Sequence, residues 1–96
     1  MKEKLLHSAT TVNRGYRTTE TRLVLINERK YKLSYDCYNC GETFTGELFD
    51  GDKFNHMFSL SDLGVKKETN YHHTIEELRP RIDMLFKKGY TFLSLL

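Results

Sequence analysis

The chain has 96 residues, of which 39% are hydrophobic and 29% are charged, and its formal net charge is +2. This length supports one hydrophobic core and excludes a division into two. No stretch approaches the ~20 apolar residues that a membrane-spanning helix needs, and the beginning lacks the apolar core of a signal peptide, so the sequence predicts a cytoplasmic protein. Residues 1–32 carry a net charge of +5 and residues 33–65 one of −5. Either the basic segment offers a face to an acidic partner, or the two segments neutralise each other across the fold.

The first half of the chain predicts two β-strands after a polar beginning. Residues 1–15 are polar, and we expect a flexible arm or an edge strand there. A single small domain is predicted over residues 16–96. Within it, Thr21–Ile26 is the short β-branched and aliphatic run of a half-buried strand, and Tyr31–Tyr38 alternates between large and polar side chains. Residues 27–30 are expected to form the turn between these strands.

Two more strands are predicted in the middle of the chain. Residues 42–49 alternate between apolar and polar side chains, and the Asp-Gly-Asp sequence at residues 50–52 is a strong turn former. Residues 61–73 have no periodicity and are expected to form a surface loop. Four consecutive strands joined by short turns predict an antiparallel meander. The alternating positions of the fourth strand are Phe54, His56, Phe58 and Leu60.

One helix is predicted at residues 74–89, where hydrophobic residues recur at helical spacing. Thr74 and Glu77 are placed as a capping box at its start, and Gly89 after two lysines matches a helix end. Pro80 lies past the first turn and is expected to kink the helix. The apolar positions of this helix are Ile75, Leu78, Ile82 and Leu85.

The last seven residues, 90–96, contain no charge, Pro or Gly, and their composition predicts a short strand. Because such a segment would aggregate if it were exposed, we expect it to pair with the sheet or with a second subunit. The predicted fold is therefore α+β: a four-strand antiparallel meander followed by one amphipathic helix and a short C-terminal strand.

The two cysteines of the chain, Cys37 and Cys40, lie at the predicted turn between the second and third strands. A Cys-x-x-Cys turn directs two thiolates at one metal ion, and a tetrahedral zinc site needs two further Cys or His ligands. His56, His72 and His73 are the candidates, or a second copy of the same turn across a dimer. The turn resembles one knuckle of a zinc ribbon over eight residues, without the second Cys-x-x-Cys. The alternative is a tight turn without metal.

Cationic and aromatic residues interleave in the first third of the chain, as they do on surfaces that bind single-stranded nucleic acid. Arg and Lys on the solvent-facing side of a sheet are also the ordinary solubilising choice. The tyrosines favour a protein interface instead, because a core of this size is not expected to absorb them all. The candidate binding residues are Arg17, Arg22, Lys30, Tyr31, Lys32 and Tyr38.

Motifs of catalysis are absent from the sequence, including the phosphate-binding glycine loop, G-x-S-x-G and H-E-x-x-H. We therefore expect a small non-enzymatic protein-binding module of the adaptor or inhibitor type, a monomer or a homodimer, with another protein as its partner. The alternatives are a nucleic-acid-binding domain that uses the basic N-terminal third, and a zinc-stabilised knuckle domain.

Overall fold

The computed structural model describes residues 2–13, 17–38, 41–68 and 74–96. Its strands form one sheet in which they lie side by side in chain order, and every neighbouring pair is antiparallel. The predicted α+β meander is confirmed, with five strands in place of four. The elements are β1 (Glu3–Asn13), β2 (Arg17–Ile26), β3 (Arg29–Tyr38), β4 (Gly41–Asp50), β5 (Lys53–Ser59), a 3₁₀ turn (Leu60–Leu63) and α1 (Ile75–Ser94).

The two faces of the sheet differ because successive side chains of a strand point to opposite sides. On the inner face, helix α1 covers a core that includes Val24, Ile26, Leu33 and Phe44, all of which are buried. On the outer face, the side chains between these positions are half-buried or exposed. The helix thus covers the centre of one side of the sheet and leaves the other side open.

The hairpin between β2 and β3 turns through two residues with positive φ, Asn27 at 51° and Glu28 at 72°. Two-residue hairpin turns of this hand match the twist of the flanking strands, and Asn tolerates the conformation better than most residues. The Asn27 backbone amide donates to the Lys2 carbonyl at 2.9 Å, and its side-chain Nδ2 donates to the Ser94 carbonyl at 3.2 Å. This one residue therefore joins the start of β1 to the end of α1.

The helix begins as the sequence predicts. The Thr74 side chain accepts a hydrogen bond from the Glu77 backbone amide at 3.2 Å, which satisfies one of the free amides of the first turn. The helix continues through Pro80.

The prediction of a C-terminal strand at residues 90–96 is wrong, because α1 continues to Ser94. The buried positions at helical spacing do not stop at Leu85 but continue through Phe86 and Gly89 to Leu93. Tertiary packing of this stripe outweighs the strand propensity of the segment.

Gly89 is not a helix terminus but a point of close approach between α1 and the sheet. A Cβ atom at this position would lie 3.0 Å from Leu33 Cδ2, 3.0 Å from Phe58 Cζ and 3.2 Å from Phe44 Cε2. The missing side chain therefore lets the helix backbone lie directly on the core.

Candidate interaction surface

The outer face of the sheet holds two aromatic rings in contact near the turn between β4 and β5. Phe49 and Phe54 are opposite each other in the β4–β5 register, and their ring centroids are 4.3 Å apart. The Lys30 ammonium lies 4.8 Å from the centroid of the Phe49 ring, and the Lys32 ammonium lies 5.5 Å from that of Phe54. We call Lys30, Lys32, Phe49 and Phe54 the aromatic patch.

Phe54 is the more accessible of the two rings of the aromatic patch, with 47% of its surface exposed. It reaches the outer face because of an irregularity in β5: Gly46 is opposite Phe58, but Glu47 is opposite His56, so the register shifts by one residue. Such a bulge reverses the direction in which the following side chains point. Phe58 therefore lies in the core and is fully buried, while Phe54 faces solvent.

Sequence reasoning missed both phenylalanines of the aromatic patch. The period-two pattern places Phe54 and His56 on the same face as Phe58, and the bulge separates them. The one local indication is Gly46, since a glycine inside a strand pattern often marks a bulge or a close approach. A Cβ atom on Gly46 would overlap the Phe58 ring.

The six predicted binding residues are divided between the two faces. Four lie on the outer face, at opposite ends: Lys30 and Lys32 in the aromatic patch, and Arg17 with Tyr38 at the other end. There the Arg17 guanidinium lies 5.2 Å from the centroid of the Tyr38 ring, and its Nε donates to Asp36 Oδ1 at 3.2 Å. Arg17 is therefore already paired with a carboxylate.

The other two predicted binding residues, Arg22 and Tyr31, lie on the inner face. Tyr31 is 1% exposed and belongs to the core, so it is not available to a partner. Arg22 stacks on the Phe86 ring at 4.0 Å and its Nη1 donates to the Tyr90 hydroxyl at 3.2 Å. The six predicted binding residues therefore do not share one face of the sheet.

Arg22 also belongs to a charge cluster around the buried carboxylate of Glu20. Hydrogen bonds to this carboxylate come from Arg79 Nη1, Thr10 Oγ1 and Arg22 Nε, each at 2.8 Å. Burial raises the pKa of Glu20, but these three hydrogen bonds outweigh burial and hold that pKa below its ordinary value. The cluster therefore keeps Glu20 charged and ties β1 and α1 to β2.

A second buried carboxylate, Glu42, joins β4 to α1 and to the loop after the 3₁₀ turn. It accepts hydrogen bonds from the Tyr35 hydroxyl at 2.7 Å, from the Glu68 backbone amide at 3.1 Å and from Arg81 Nε at 3.0 Å. Arg81 Nη2 in turn donates to the Lys66 carbonyl at 2.9 Å. Burial raises the pKa of Glu42, and the hydrogen bonds from Arg81 and Tyr35 lower it by more. Both clusters hold elements of the fold together, and this structural role accounts for their buried carboxylates.

The proposed metal ligands are only partly within the described residues. Cys37 lies on the inner face against the core, whereas His56 is exposed on the outer face, so the structure does not bring these two together. Burial raises the pKa of the Cys37 thiol, which disfavours the thiolate that binds metal. Cys40, His72 and His73 lie outside the described residues, and within those residues no group of three or more His, Cys, Asp or Glu is placed to hold a metal ion. A zinc site built on Cys37 and Cys40 stays a prediction.

Comparison with known protein families, with curated proteins and with solved structures finds no match to this chain. No helix in the described ranges is both long and apolar enough to cross a lipid bilayer.

Proposed function

We propose that this protein is a small, non-enzymatic protein-binding module of the cytosol, and that its partner binds on the outer face of the sheet at the aromatic patch. The observation that supports this is the exposed Phe54 ring, which is packed on Phe49 beside two ammonium groups on a face that α1 leaves open. Aromatic side chains at the centre of a patch supply most of the binding free energy in many interfaces.

The patch fits a partner segment that combines apolar and acidic side chains. Among the residues that the structure describes, neither Lys30 nor Lys32 forms an ion pair. Their ammonium groups lie over the faces of the two rings, so they can bind carboxylates without breaking an ion pair within the described structure. An apolar side chain of the partner would cover Phe54 while acidic side chains reach the two lysines.

A nucleic acid fits the same face less well. Lys32 is opposite Glu47 in the β3–β4 register, so a phosphate chain would meet a carboxylate beside this cation. Of the other basic candidates, Arg17 is bound to Asp36 and Arg22 to Glu20. Of the four basic candidates, Lys30 and Lys32 remain, and two cations are too few for a backbone-tracking groove.

Peptide display tests this proposal with a defined probe. A random peptide library is selected on the wild-type protein and depleted on Phe54→Ser, and the affinities of the enriched peptides are measured by calorimetry. We expect acidic peptides with an aromatic or aliphatic anchor, and a loss of affinity of about tenfold or more in Phe54→Ser and in the double variant Lys30→Ala, Lys32→Ala. Thr43→Ser, at the far end of the same face, is the matched control and should bind normally.

The result that would overturn the proposal is equal binding by wild-type protein and Phe54→Ser, or no enriched peptide. Single-stranded oligonucleotides are tested in parallel. If they bind with a steep dependence on salt that the double lysine variant removes, the nucleic-acid alternative replaces the protein partner.

A further inference from the structure

The outer edge of β1 is the longest unprotected strand edge in the described part of the chain. β1 has 11 residues and pairs with β2 on one side only. Residues 2–12 are all exposed. An unpaired edge offers a row of backbone donors and acceptors, and folded proteins usually protect such edges with charges, Pro or short length.

These protective features are missing from most of β1. Residues 5–12 contain no Lys, Arg, Asp, Glu or Pro, and the one irregularity of the strand lies near its start, between Leu5 and His7. The opposite edge of the sheet differs: β5 has 7 residues, begins with Lys53 and contains the bulge described above. The fold thus protects one edge and leaves the other free.

Helix α1 does not obstruct this edge. It packs on the inner faces of β2 and β3, and the inner-face residues of β1, which include Ser8, Thr10 and Val12, remain exposed. A strand added beside β1 would therefore meet no other element of the described structure.

We propose that β1 pairs with β1 of a second copy of this chain, so that two five-stranded sheets form one ten-stranded antiparallel sheet. The choice of a second copy follows from the symmetry of the segment around Ala9. A twofold axis through Ala9, perpendicular to the sheet, places Ser8 opposite the partner's Thr10 and His7 opposite the partner's Thr11. Leu6, which lies at the irregularity of β1, is then opposite the partner's Val12.

This register joins the exposed apolar residues of β1 with each other. Leu6 is 41% exposed and Val12 is 46% exposed, and both would be covered in the dimer. Small side chains meet at the centre, around Ala9, and no like charges are placed opposite each other between residues 5 and 12.

The dimer is tested by placing charged side chains at Ala9, which lies on the twofold axis. We expect the full chain to have twice its monomer mass of 11.4 kDa in sedimentation equilibrium and in native mass spectrometry. Ala9→Lys places two ammonium groups at the axis, and Ala9→Glu places two carboxylates there, so each variant alone should be monomeric. A mixture of the two should form dimers again, because Lys then lies opposite Glu.

Two controls make the test specific. Thr43→Lys adds the same charge to an exposed outer-face position of the interior strand β4 and should leave the dimer intact. Circular dichroism must show that the Ala9 variants remain folded. A wild-type protein that is monomeric up to high micromolar concentration, or a dimer that Ala9→Lys does not affect, would overturn this proposal. The proposal is independent of the aromatic patch, so Phe54→Ser should remain dimeric.

Discussion

The carboxylate of Glu42 and the guanidinium of Arg81 form a bidentate pair across 39 residues of sequence, in which Arg81 Nη2 donates to Oε1 and Nε donates to Oε2 at 3.2 Å. Glu42 is 1% exposed, whereas the Arg81 side chain is 22% exposed. The pair therefore lies at the boundary of the core, where a carboxylate without its partner could not be solvated.

Arg81→Ala should lower the free energy of unfolding by about 3 kcal/mol, near the lower end of the range for a broken buried pair because Arg81 keeps some contact with solvent. Urea denaturation measures this loss. Arg17→Ala is the matched control, since its ion pair with Asp36 is largely exposed and such pairs contribute at most about 1 kcal/mol. Equal losses in the two variants would show that Glu42 is not held as the structure indicates.

Stability should decrease in acid because of Glu20 and Glu42. Both carboxyls have a pKa in the folded protein that lies below the ordinary value of 4.5. The unfolded state therefore takes up these protons first as the pH falls, so the stabilisation is complete above pH 4.5 and is lost as the pH passes through the folded pKa values. The measurement is the free energy of unfolding from neutral pH to about pH 3.

The double variant Glu20→Gln, Glu42→Gln isolates this effect. It should be less stable than the wild type at neutral pH, and the difference should narrow in acid, because the wild-type carboxylates then become neutral as well. A difference that stays constant across the pH range would contradict the assignment of lowered pKa values to these two groups.

Gly46→Ala should lower the free energy of unfolding because of a clash with one side chain. A Cβ atom at this position would overlap the Phe58 ring, which is fully buried, and extra volume in a packed core costs about 1 to 3 kcal/mol. Combining Gly46→Ala with Phe58→Leu should cost less than the sum of the two single variants, because the smaller side chain makes room for the methyl group. Additive losses in thermal or urea denaturation would show that the two residues do not compete for the same space.

The elements that could be predicted from sequence are those whose pattern is local. Alternation in residues 31–38 and the cap at Thr74 depend on near neighbours, and the structure shows both. The parts that were missed depend on contacts between distant residues. Gly89 resembles a helix end until the sheet beneath it is known, and Phe54 resembles a core residue until the bulge opposite Gly46 changes its direction.

The same limit applies to the candidate site. The sequence indicates cations and rings, and Lys30 and Lys32 lie on the outer face as an interaction surface requires. It does not indicate that Tyr31 is buried or that Arg22 is paired with Glu20, because those outcomes depend on which face each strand presents to α1. Phe49 and Phe54 came together only through the register of β4 and β5.

The unfolding free energies of variants in the last turn of α1 distinguish a helical C-terminus from a strand. Leu93 is 2% exposed and packs in the core, while Leu95 and Leu96 are exposed. Leu93→Ala should therefore cost about 2 to 5 kcal/mol of unfolding free energy. Deleting Leu95 and Leu96 should cost less than about 1 kcal/mol, because helix ends fray and these side chains cover little surface. If residues 90–96 formed a strand, Leu93 and Leu95 would share a face, and the deletion would destabilise the protein about as much as Leu93→Ala.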